Sequence, residues 1–98
     1  MNPIQDRRRK IDEIDEQLVD LLNRRARLAV EIGELKRKHQ MSAISPERER
    51  EILDRACRSS LGPLDGEAIE RLFSAILNET RRAAADAWEA AVPSGSYR

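Results

Sequence analysis

Aromatic residues are nearly missing from this chain of 98 residues: one Phe, one Trp and one Tyr. A platform for stacking nucleic-acid bases is therefore not expected. Cysteine is as scarce. Cys57 stands alone, so no disulfide can form within the chain, and a reducing, cytoplasmic setting is expected. With His39 the only histidine, no cluster of metal ligands can be assembled, and no second motif is present to activate Cys57 as a nucleophile. Net charge is lacking too. Eighteen Lys and Arg balance 18 Asp and Glu, which argues against a general binder of nucleic acid or membrane surface. The basic run Arg7-Arg8-Arg9-Lys10 reads first as a solvated turn of helix. No apolar run approaches about 18 residues, so neither a membrane span nor a secretion signal is expected.

What the chain does have is helical periodicity. From about Gln5 to Gln40 it contains no proline and a single glycine, Gly33. Written as heptads, Ile4, Ile11, Leu18, Arg25 and Ile32 share one position, and Arg7, Ile14, Leu21, Leu28 and Leu35 share the position three further on. This is the apolar seam of a long amphipathic helix, with Arg25 as a charge in its middle. Ser45 and Pro46 read as the N-cap and first residue of a second helix, expected to end near Arg58. Gly62-Pro63 marks a turn, and Asp65 caps a third helix to about Ala90, whose apolar face includes Ile69, Leu72, Phe73, Ile76, Leu77, Thr80 and Ala84. The expected fold is all-α, with a long, a short and a medium helix in one domain over residues 1–92. Residues 93–98, beginning Pro93-Ser94-Gly95-Ser96, form a tail.

A helix over residues 5–40 is about 54 Å long, whereas a compact monomer of this size is about 35 Å across. The first helix must overhang any core its own chain can build. A second copy would cover the remaining seam, which gives an intertwined homodimeric helical bundle. The alternative is a monomer whose first helix breaks near Gly33.

Several charges fall on faces that should be buried. Lys36 lies three helical turns beyond Arg25, on nearly the same face. In the second helix Glu49 precedes Ile52 and Leu53 by three and four residues, so it points inward, with Arg48 beside it. Thr80 sits mid-face in the third helix. A lone polar residue on a seam commonly fixes register, and Arg48 and Glu49 taken singly could be surface charges. Together the cations outnumber the carboxylate. Buried charge is costly unless paired, so a small di-anion is the expected ligand. Arg8 lies roughly 25 Å along the axis from Arg25, too far to share one small ligand within a helix. In an antiparallel dimer, Arg8 of one chain reaches the site of the other.

The runs Arg8-Arg9-Lys10-Ile11-Asp12-Glu13-Ile14-Asp15, Leu21-Leu22-Asn23-Arg24-Arg25 and Leu28-Ala29-Val30-Glu31-Ile32-Gly33-Glu34-Leu35-Lys36 resemble the all-helical class of chorismate mutases. So do Pro46-Glu47-Arg48-Glu49-Arg50-Glu51-Ile52-Leu53 and Gly62-Pro63-Leu64-Asp65 leading to Arg71-Leu72-Phe73. The resemblance covers about residues 5–84 and implies a rearrangement of chorismate to prephenate without a cofactor, in an intertwined dimer with shared sites. It implies that Arg25 and the partner's Arg8 bind the carboxylates of chorismate. Lys36 would bind a carboxylate and donate to the ether oxygen, Arg48 line the pocket and Glu49 hold the ring hydroxyl. Thr80 stands where the family usually has Ser, and Ser45 where it commonly has Asp. Ala84 stands where a Gln or Glu usually donates to the ether oxygen, which leaves a weak mutase, a substitute donor such as Arg81 or water, or a non-catalytic helical dimer. An isochorismate pyruvate-lyase shares the fold and is the remaining alternative.

Overall fold

The computed structural model describes residues 2–91. They form three helices, α1 (Pro3–Lys38), α2 (Pro46–Ser59) and α3 (Gly66–Ala91). The tail expected at residues 93–98, like the end of the domain at residue 92, lies outside the described residues.

Each helix begins where a short polar side chain can take up free backbone N–H groups. The Asn2 side-chain oxygen accepts from the N–H of Ile4 at 2.9 Å and of Gln5 at 3.3 Å, with Pro3 in the first turn. Ser45 Oγ accepts from the Arg48 N–H at 3.3 Å, and Pro46 follows it. Asp65 accepts from the Ala68 N–H at 2.9 Å. The end of α1 differs from the expected Gln40. Gln40 takes the left-handed conformation, with φ of 55°. The Met41 N–H then reaches back to the Lys36 carbonyl at 2.7 Å and the Gln40 N–H to that of Arg37 at 3.2 Å. This 6→1 and 5→2 pair closes the helix at Lys38.

α1 runs unbroken through Gly33. A Cβ placed there would stand 3.7 Å from the Ala84 Cβ, so these two small residues let α1 and α3 approach closely. α3 is the central element, packing α1 on one side and α2 on another. Among the described residues only Leu77 and Thr80, both on α3, are buried. Leu72, expected on the buried face, is half exposed, because neither other helix covers that flank.

The molecule measures 65 × 29 × 16 Å, with a radius of gyration of 17.7 Å. A compact domain of this length has about 13 Å. The difference comes from the first two-thirds of α1, which projects beyond the other helices. Its seam residues Ile4, Ile11, Ile14, Leu18 and Leu21 are all exposed, Ile11 and Ile14 by 54% each. No described helix is long and apolar enough to cross a membrane.

Candidate active site

The C-terminal third of α1 is the part that meets α3, and the functional candidates gather there. Arg25 is half-buried, and its Nη1 donates to Thr80 Oγ1 on α3 at 3.2 Å. Thr80 can accept this bond because its own hydroxyl hydrogen is directed to the Ile76 carbonyl, 2.9 Å away one turn earlier. One turn beyond Thr80, Ala84 meets Gly33 of α1. Thr80 and Ala84 thus both lie on the side of α3 turned towards α1, the register that the apolar periodicity predicts.

Lys36 is half-buried three residues after Gly33. Its Nζ donates to the Ala43 carbonyl at 3.4 Å, across the α1–α2 connection. The acceptors of Arg25 and Lys36 are thus a hydroxyl and a carbonyl. Among the described residues neither cation has a carboxylate partner. A guanidinium and an ammonium on one face of α1, each partly screened by its neighbours and with only neutral acceptors, leave positive charge that an anion can balance.

α2 supplies the remaining candidates. Ser45 uses its Oγ as the cap acceptor. Arg48 lies along the helix surface and pairs with Glu51 at 2.6 Å, and Arg55 joins the same carboxylate at 3.1 Å. Glu49 turns the other way, towards α3, where Arg81 Nη1 stands 3.5 Å from its carboxylate. The structure therefore brings Arg25 to Thr80, Ala84 to α1, and Glu49 to α3. It leaves Arg8 exposed on the projecting part of α1, roughly 25 Å along the axis from Arg25. Two surface depressions lie elsewhere, each along one helix: one between Glu13 and Arg24 of α1, the other between Glu67 and Asn78 of α3.

Two contacts escape a reading of the sequence. One is the Glu49–Arg81 pair. The other is Arg37, whose guanidinium lies 3.4 Å from the centroid of the Trp88 ring and so ties the end of α1 to the end of α3. The available signal for the second was a single Trp on α3 opposite a basic last turn of α1.

Residues 7–84 match the family described as chorismate mutase type II. The chain is 38% identical over 82 residues to a bifunctional chorismate mutase/prephenate dehydratase of Aquifex aeolicus, a match covering 80% of this chain and 23% of that protein. It is 42% identical over 72 residues to the protein of the same description from Neisseria gonorrhoeae, covering 74% of this chain and 19% of that one. The chain thus spans about a fifth of the length of these relatives. Among solved structures, a chorismate mutase from Thermus thermophilus superposes with a TM-score of 0.79 at 32% identity, covering 81% of this chain and 90% of that one. A chorismate mutase from Helicobacter pylori in complex with prephenate superposes with a TM-score of 0.80 at 28% identity, covering 88% and 93%.

Proposed function

The chain belongs to the chorismate mutase type II family, and we propose that it rearranges chorismate to prephenate in the biosynthesis of phenylalanine and tyrosine. The observation that carries this reading is the pair Arg25 and Lys36, two half-buried cations on one face of α1 that meet only neutral acceptors. Chorismate carries two carboxylates and an ether oxygen. The planar fork of Arg25, oriented by Thr80, suits a carboxylate. Lys36 keeps two N–H donors beyond its bond to Ala43, enough for a carboxylate and the ether oxygen.

The reaction is intramolecular. The ether C–O bond breaks as a C–C bond forms, no atom leaves, and no nucleophile, metal or redox group is required. The protein's task is to hold the folded conformer and to stabilise negative charge growing on the ether oxygen. Glu49, facing inward from α2, accepts from the ring hydroxyl. Arg48 lines the mouth of the site once it leaves Glu51, and Ser45 holds the start of α2. Ala84 offers no donor. Loss of one such donor costs about 2.7–4 kcal/mol in comparable sites, so Lys36 carries the ether oxygen alone and turnover is slow.

The second carboxylate needs another cation, and Arg8 is the candidate. It lies too far along α1 to serve its own chain's site. The exposed seam around it fits a second copy of α1 running antiparallel, which places Arg8 of one protomer beside Arg25 of the other. The functional unit is then a homodimer with two shared sites, acting in the cytoplasm, where the lone thiol of Cys57 stays reduced.

The test is to follow the loss of chorismate absorbance with the purified chain and to identify the product. Formation of prephenate supports the reading. Release of pyruvate from isochorismate makes the chain a lyase, and no turnover of either substrate, with no binding of a di-anionic analogue of the transition state, makes it a non-catalytic helical protein.

A further inference from the structure

Among the described residues, one ion pair joins two different helices. Arg81 Nη1 on α3 lies 3.5 Å from Glu49 Oε2 on α2, while the other pairs link neighbours on the same helix. The Glu49 side chain, 29% exposed, is the most sheltered member of any of these pairs. Of the two cations adjacent to Glu49 in sequence, Arg48 is turned to Glu51 at 2.6 Å and Arg50 makes no ion pair among the described residues, so the positive charge paired with Glu49 comes from Arg81. Arg81 is itself steadied one turn back, where its Nη2 donates to the Asn78 side-chain oxygen at 2.8 Å. Its neighbour Thr80 receives Arg25 from α1. A single turn of α3 therefore holds a cation of α1 and a carboxylate of α2 at once.

This arrangement bears on how a di-anion can bind beside a carboxylate. A bare Glu49 would repel the ligand as strongly as a cation at the same place attracts it. A Glu49 paired with a guanidinium is nearly neutral towards the ligand and still has acceptor sites for a hydroxyl. We infer that Arg81 is a positioning residue for the mutase reaction: it holds Glu49 against α3 and offsets its charge, so that a di-anionic substrate can bind next to that carboxylate. The inference rests on the mutase reading above.

The test is a double-mutant cycle on the full chain with Arg81→Met, Glu49→Gln and the two combined, and with Arg81→Lys as the charge-conserving variant. KM and kcat are measured on chorismate, and Kd by calorimetry for a di-anionic bicyclic analogue of the transition state. Arg81→Met should raise KM and Kd about tenfold with a smaller fall in kcat, and Arg81→Lys should recover most of the loss. In the Glu49→Gln background the same change should shift KM and Kd less than about twofold, because no charge remains to be offset. An equal effect of Arg81→Met in both backgrounds overturns the inference while leaving the mutase reading intact. A wild-type chain that neither consumes chorismate nor binds the analogue overturns both. If Arg81→Met loses its helical signal, the cycle is run with Arg81→Gln, which keeps a polar end at that position, and the same comparison decides.

Discussion

Ala84 is a methyl group on the side of α3 turned to α1, one turn past Thr80, where it meets Gly33. The resemblance to the mutase family implies a donor to the ether oxygen here. Ala84→Gln should accordingly raise kcat on chorismate tenfold or more, with a smaller change in KM, because the ether oxygen gains charge mainly in the transition state. Ala84→Leu, similar in bulk without a donor, should give no gain. Steady-state kinetics of the two variants check this. An absence of gain from Gln, with analogue binding retained, means either that another group already serves the oxygen or that a side chain at position 84 does not reach it. Arg81, the substitute that the sequence suggests, is engaged with Glu49 and Asn78. At this scale the sequence showed which residues face inward, because Arg25, Lys36, Glu49 and Thr80 fall at helical intervals from apolar neighbours. It did not show what they touch. The Glu49–Arg81 pair depends on how α2 crosses α3, and no local pattern encodes that crossing.

The starts of α2 and α3 were legible, whereas α1 begins at Pro3 rather than near Gln5 and ends before Gln40. Asn2, Ser45 and Asp65 cap through their own side chains, and each is followed at once by its helix, so the signal is local. α1 ends at Lys38 by a left-handed residue that is Gln40, where a glycine or asparagine would have marked the stop. That mismatch gives a prediction about α1. An L-residue held left-handed costs roughly 1–2 kcal/mol, and glycine avoids this while losing part of the gain to backbone entropy. Gln40→Gly should therefore stabilise the fold by about 0.5–1 kcal/mol, read as a higher midpoint in urea at fixed protein concentration. A lower midpoint contradicts the cap geometry. The unbroken passage of α1 through Gly33 has a similar local logic. Glycine weakens a helix interior, and here it is tolerated because it lies against Ala84 at the point where two helices come close.

Taken whole, the described residues form an elongated body of 65 Å in which two are buried and a long apolar seam is open to water. Such a seam is an interaction surface, and the homodimer proposed above covers it. A dimer whose cores are shared unfolds with dissociation, so the melting temperature should fall as the protein is diluted. A melting temperature independent of concentration, with light scattering giving a monomer of 11.2 kDa, contradicts the dimer. The overhang of α1 was readable from helix length against domain size, whereas the proposal that a partner contributes Arg8 to each site rests on the distance between Arg8 and Arg25. That trans arrangement is the central claim, and subunit exchange tests it most directly. Arg8→Ala and Arg25→Ala dimers should each be inactive and remain helical. Once mass spectrometry shows that an equimolar mixture has exchanged subunits, half the dimers are mixed, and one site in each holds both arginines. The mixture should then recover about a quarter of the wild-type rate. Full exchange with no recovered activity would contradict a site built from two chains.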